Sequence, residues 1–165
     1  MSRTLSLQNR QRVRRVDTRL LRQITLRLLD SELCLDSYEL AIHLVGAREM
    51  AKVNWDFLQH EGSTDVITFD HSESGEGLVG LHGELFICLD DAVKQAREFG
   101  TTWQSELARY VIHGLLHLCG HDDLKPEPRR KMKREENRLV RLVAKEFSLS
   151  KLARVGESQI ANPRS

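Results

Sequence analysis

Two histidines four residues apart, His113 and His117, stand in an otherwise apolar run that continues through Cys119, Gly120, His121, Asp122 and Asp123. On a helix an i, i+4 pair lies on one face, one turn apart. Two neutral imidazoles held on a rigid helix begin a metal site. Glycine accepts the left-handed conformation that ends a helix. At Gly120 the chain can therefore turn back and deliver a third ligand from His121, Asp122 or Asp123. Cys119, two residues past His117, points roughly opposite the imidazoles and reads as a core thiol. Closed structural zinc sites take four protein ligands and favour cysteine, whereas three ligands and an open position are the catalytic arrangement. The zinc peptidase motif His-Glu-x-x-His carries its base directly after the first histidine. Gly114 stands there, which counts against proteolysis. A general base must come from elsewhere, with Asp65, Glu84 and Asp122 as candidates.

The elements that would position these residues can be read from periodicity. Alternation over Thr4–Gln8, Tyr38–Val45, Asp65–Phe69 and His82–Cys88 predicts four strands. Leu20, Leu21, Ile24, Leu28 and Leu29 recur at helical spacing after a cap at Asp17. A second helix covers residues 47–58, with Met50, Val53, Asn54 and Phe57 on its inner face. A third starts at a cap from Asp90 or Asp91 and stops at Gly100. The fourth, capped by Thr101 or Thr102, runs through the histidine pair and is largely buried. A fifth spans roughly 127–147 behind Pro126 and Pro128, with Met132, Leu139, Val140, Leu142 and Val143 inward and a dense Arg/Lys face outward. The glycine- and serine-rich stretch 70–81 reads as a mobile loop or turn. The expected organisation is one metal-dependent hydrolase domain, residues 1–147, with a flexible tail over residues 148–165.

Composition sets the class. A chain of 165 residues with 40% hydrophobic and 30% charged content is that of an ordinary globular protein. No apolar run reaches membrane-span length, and the arginine-rich start lacks a secretory core. The expected location is the cytoplasm. Cys34, Cys88 and Cys119 show no disulfide framework and read as buried or partly buried thiols. The net charge of +1 conceals two basic ends. Residues 1–30 hold 8 Lys/Arg and 2 Asp/Glu, residues 31–124 hold 5 and 17, and residues 125–165 hold 12 and 5. That pattern suits either solvated helix faces or a rim that attracts a polyanion to an acidic, cation-binding middle.

Three blocks, in order, resemble the YbeY family of metal-dependent endoribonucleases. Asn54 with Ser63-Thr64-Asp65-Val66-Ile67-Thr68-Phe69 is similar to that family's Asn … Pro-Thr-Asp-Val-Leu-Ser-Phe segment. Gly83-Glu84-Leu85-Phe86-Ile87 is similar to its Gly-Asp-Ile strand. His113 to Asp123 is similar to His-Gly-x-Leu-His-Leu-x-Gly-x-x-His. The resemblance implies an α+β domain with a small mixed sheet and helices around it. Four strands and five helices agree, with the metal on the buried helix and the loop after it. It also implies zinc-dependent cleavage of single-stranded RNA, in maturation of the 3′ end of small-subunit rRNA and in ribosome quality control. Expected partners are rRNA or other single-stranded RNA and the small subunit or its assembly proteins, with no DNA and no membrane.

The chain departs from that family's pattern in places. The family's third histidine falls where this chain has Asp123, which keeps a ligand and makes Asp123 the favoured third donor beside His113 and His117. His121 is the rival. An arginine of the family is replaced by Leu58, so Arg48, Lys52 and His60 are the nearest candidates to meet RNA, with Arg129, Arg130 and Lys133 of the last helix. His113, His117, Asp65 and Glu84 form the expected catalytic set. Two other readings compete: an assembly factor with a purely structural metal, and a metalloprotease.

Overall fold

The computed structural model describes residues 2–72 and 80–154. The chain runs β1 (Arg3–Asn9), α1 (Thr18–Arg27), β2 (Ser37–Val45), α2 (Ala47–Val53), β3 (Val66–Asp70), β4 (Gly80–Cys88), α3 (Leu89–Phe99), α4 (Trp103–Leu118) and α5 (Pro126–Glu146). The strands form one mixed sheet in the order β1-β2-β4-β3. β1, β2 and β4 are parallel, and β3 closes one edge antiparallel to β4, pairing Ile67 with Phe86 and Thr68 with Leu85. Parallel strands need crossovers that bury the sheet. α1 supplies the crossover between β1 and β2, and apolar residues of β2, Ile42 and Leu44 among them, are fully buried.

The expected α+β domain of four strands and five helices is therefore present. Asp17 caps α1, accepting a hydrogen bond from Leu20 N–H at 3.0 Å. Thr102 caps α4 in the same way through Ser105 N–H at 3.1 Å. α4 lies over β4 and the edge strand β3. A Cβ built on Gly114 would stand 2.7 Å from Leu85 Cδ2, so the helix backbone rests almost directly on β4. Leu107, Val111 and Leu115 of α4 pack with Leu85, Ile87, Leu139 and Val143 in one core. Successive side chains of a strand alternate between faces, so Glu84, Phe86 and Cys88 take the other face. There α2 covers a smaller cluster of Val45, Met50, Val53, Ile67 and Cys88.

Several expectations change. Phe57 is 67% exposed rather than inward, because α2 widens into a π-turn over Asn54–Leu58 that shifts the rotation of the last residues. Phe57 instead meets Phe69 edge-on at 5.3 Å. Neither Asp90 nor Asp91 caps α3. Both sit in its first turn, and Asp90 accepts from Ala47 N–H at 2.5 Å, tying the start of α2 to α3. Of the three cysteines only Cys88 is buried; Cys34 and Cys119 are exposed, Cys119 because it falls at the very end of α4.

Residues 148–154 do not form the start of a tail. Leu149–Leu152 makes a short 3-10 turn, Leu152 is fully buried, and Val16 bridges Ala153. Lone Leu152 has no periodic neighbours, so the segment's sequence conceals its anchor. Within the expected loop 70–81, β3 reaches Asp70 and β4 begins at Gly80; residues 73–79 and 155–165 lie outside the described residues.

Candidate metal centre

His113 and His117 project from the C-terminal half of α4, and Asp123 returns from the loop after Gly120. Gly120 takes φ +98°, the left-handed turn that lets the chain reverse. His113 Nε2 and His117 Nε2 are 3.1 Å apart, His117 Nε2 and Asp123 Oδ2 are 3.3 Å apart, and His113 Nε2 and Asp123 Oδ2 are 3.8 Å apart. Zinc bonds of about 2.0–2.2 Å at tetrahedral angles separate neighbouring donors by about 3.3–3.5 Å. The three donors are thus spaced as a single cation between them requires. Their side chains keep 26–38% exposure, so the group is open on one side.

The tautomer of His113 is fixed from behind. Its Nδ1 lies 2.7 Å from Glu136 Oε1, so Nδ1–H donates to the carboxylate and the Nε2 lone pair faces the other donors. Glu136 is buried, and its second oxygen receives Arg109 Nη1 at 2.6 Å and Lys133 Nζ at 3.0 Å. Burial pushes the Glu136 carboxyl up, but the hydrogen bonds from His113, Arg109 and Lys133 outweigh it and hold the pKa at about 2. Burial likewise disfavours the His113 imidazolium. The hydrogen bond to Glu136 and the charges of Glu136, Asp65 and Asp123 overcome that, and the His113 pKa is raised.

Sequence reasoning missed Glu136. The signal was present: Met132, Glu136, Leu139 and Val143 follow one another at helical spacing, so a carboxylate sits in the buried stripe of α5. A buried carboxylate needs a partner, and here the partners are His113, Arg109 and Lys133.

A pocket of about 260 Å³ opens beside the donors, lined by Asp65, Gln95, Tyr110, Arg129, Met132 and Lys133 together with His113, Asp123, Arg109 and Glu136. Asp65 therefore shares the pocket with His113. Its Oδ1 accepts from Val66 N–H at 2.8 Å, and no hydrogen bond reaches its Oδ2 among the described residues. Glu84 does not join them. It lies on the opposite sheet face, with Oε2 3.6 Å from His43 Nε2 and Oε1 3.9 Å from His71 Nε2. Strand alternation dictates this: Leu85 faces α4, so its neighbour cannot. His43 is buried, stacked on Phe86, and among the described residues neither ring nitrogen has a hydrogen-bond partner.

His121 lies outside the donor group and lines a groove with Lys131 and Arg134. Asp122 Oδ1 accepts from Leu124 N–H at 2.8 Å, which holds the returning loop. Of the cations expected to meet RNA, Arg129 and Lys133 border the pocket, whereas Arg48, Lys52 and His60 do not line it. Arg130 is ion-paired with Glu127.

A family model described as "Endoribonuclease YbeY" matches residues 6–144. The chain belongs to the YbeY family. Among its relatives, an "Endoribonuclease YbeY" from Chlorobium luteolum is 41% identical over 105 residues, covering 63% of this chain and 74% of that protein. Another of the same description, from Salinibacter ruber, is 33% identical over 144 residues, or 84% of this chain and 91% of the relative. A solution structure of a Thermotoga maritima protein shares the fold, with a TM-score of 0.64 at 24% identity over 93% of this chain and 97% of the other.

Proposed function

We propose that this YbeY-family chain is a metal-dependent endoribonuclease that cuts single-stranded RNA, acting on the 3′ end of small-subunit rRNA in ribosome maturation and quality control. Membership of a family whose relatives are described as endoribonucleases supports hydrolysis of RNA phosphodiester bonds. The observation that carries the reading is the spacing of the donors: His113 Nε2, His117 Nε2 and Asp123 Oδ2 lie within 3.8 Å of one another, and His113 and Asp123 line a pocket beside them. His113, His117 and Asp123 would hold one divalent cation, with zinc suited to two imidazoles and a carboxylate. When bound, such an ion polarises a phosphoryl oxygen and lowers the pKa of a ligated water.

The rest is done by the chain. Glu136 holds the His113 proton on Nδ1, which keeps Nε2 available as a ligand. Asp65 acts as the proton acceptor through Oδ2, its other oxygen being engaged by the backbone. Arg129 at the pocket rim draws the phosphodiester in. The partial exposure of all three donors favours this reading over a closed structural metal. Gly114 offers no base for peptide hydrolysis, and a Glu there would collide with Leu85. Among the described residues no helix is long and apolar enough to cross a membrane; a cytoplasmic site of action is part of the proposal.

The test pairs elemental analysis with cleavage of a single-stranded RNA. Wild type is expected to carry one metal per chain and to cut. His113→Ala, His117→Ala and Asp123→Ala should lose both, while His121→Ala keeps its metal. Metal-free His113→Ala that still cut at the wild-type rate would refute the assignment.

A further inference from the structure

On the far side of the returning loop lies a feature that the metal centre does not use. Asp123 turns into the centre, but its neighbours His121 and Asp122 line a different hollow with Lys131 and Arg134 of α5. A second hollow adjoins it, sharing His121, Lys131 and Arg134 and continuing to Asn137, Arg138 and Arg141. Each measures about 560 Å³, and together they form one groove along a flank of α5. Lys131, Arg134, Arg138 and Arg141 follow at intervals of three and four residues, so they share a helix face.

The pairing of the charges decides what this face can do. Arg138 is spent on Glu135 and Glu32, and Glu127 is spent on Arg130. Lys131, Arg134 and Arg141 have no acidic partner among the described residues. Asp122 is held by Leu124 N–H. Three unpaired cations thus line a groove whose acids are largely engaged. From Lys131 to Arg141 the helix advances about 15 Å at 1.5 Å per residue. A stacked strand rises about 3.4 Å per nucleotide, so the groove matches roughly four phosphates.

We infer that this groove is a sequence-independent track for the RNA strand, in which Lys131, Arg134 and Arg141 hold successive phosphates of the segment leading away from the metal centre. The inference rests on the endoribonuclease reading above and names how that site engages a longer substrate. It replaces part of the cation set expected from sequence. Arg130 and Lys133 are committed to Glu127 and Glu136, whereas these three are available. Phosphate contacts of this kind position a strand without reading its bases. No Phe, Tyr or Trp is among the residues that line the groove, and His121 is the one aromatic ring there, so phosphate contacts outweigh base stacking.

The test is fluorescence anisotropy of the metal-loaded full chain with a short single-stranded phosphorothioate oligoribonucleotide, followed across a salt titration. Wild type is compared with the triple variant Lys131→Gln/Arg134→Gln/Arg141→Gln. A control triple, Arg12→Gln/Arg19→Gln/Lys151→Gln, removes the same charge from exposed positions elsewhere. All six positions are exposed, and circular dichroism checks that the fold survives. Each phosphate contact on a single strand adds about 0.7 to the salt slope, so the groove triple should be shallower by about 2 and roughly tenfold weaker at moderate salt. The control triple should keep the wild-type slope. If the groove triple keeps the wild-type slope while wild type binds and cuts RNA, the track is wrong and the endoribonuclease reading stands. Equal losses in both triples likewise overturn the track, because net charge would then suffice. Failure of wild type itself to bind or cut would remove the reading on which the track depends.

Discussion

At the residue scale, Glu136 controls more than its distance from the pocket centre suggests. It fixes the His113 tautomer and gathers Arg109 and Lys133 around one buried carboxylate. Glu136→Gln keeps an acceptor for His113 Nδ1–H but removes the charge that raises ligand basicity. Metal affinity should fall roughly 10- to 100-fold, measurable by competition with a chromophoric chelator. Glu136→Ala also strands Arg109 and should cost about 2–3 kcal/mol in urea denaturation, below a fully buried pair because Lys133 is exposed. The pH dependence has a definite sign. The Glu136 carboxyl titrates at about 2 in the fold against 4.5 without its partners. Its stabilisation is therefore full above pH 4.5 and lost as pH falls from 4.5 toward 2. Urea midpoints of wild type should drop more steeply over that window than those of Glu136→Gln; parallel curves would show that the carboxylate contributes nothing.

At the element scale, the packing of α4 on β4 sets the precision of the donor group. The helix sits so close at Gly114 that an added Cβ meets both Leu85 methyls, at 2.7 and 2.9 Å. Gly114→Ala gains about 1 kcal/mol in helix propensity but forces an overpacked contact worth about 1–3 kcal/mol. We expect a lower thermal midpoint. We also expect a loss of kcat larger than the stability change explains, since His113 and His117 flank the contact. Unchanged kcat would show that the donors tolerate helix displacement.

The same elements show what could be read from the sequence. α4, a cap at Thr101 or Thr102 and the Gly120 reversal were legible because spacing and capping are local; the structure selects Thr102. Asp123 was legible through family resemblance, at the offset where a relative has histidine. Glu136 was not legible as a site residue because His113 and Arg109 lie 23 and 27 residues away, and only its place in an apolar stripe marks it. Glu84 stands in a family-like motif, but the parity of β4 turns Leu85 to α4 and Glu84 to His43 and His71 on the other face. Leu152 was lost because burial of a single leucine after a helix leaves no periodic trace.

At the scale of the whole molecule, the core and the metal centre are separable. Leu21, Ile42, Leu85, Val111, Leu115, Leu139 and Val143 close the core between sheet and helices. Ion pairs of Arg27 with Glu146 and Arg138 with Glu32 tie the α1 segment to α5 independently. The donors belong to an already buried helix and one short loop, so the metal is not needed to assemble the sheet. Chelation should therefore abolish RNA cleavage while leaving the far-UV circular dichroism spectrum unchanged. The thermal midpoint should fall only by the linkage contribution of the lost ligand, about 2.7 kcal/mol for metal at a hundred times its dissociation constant. Protons compete for the same donors, and neighbouring carboxylates raise the His113 pKa, so the protein's metal affinity should drop as pH is lowered, read by competition with a chromophoric chelator corrected for its own protonation. Readdition of zinc should restore cleavage without a refolding phase. Cooperative loss of helical signal on chelation would instead make the metal a structural element and favour a binding role over catalysis.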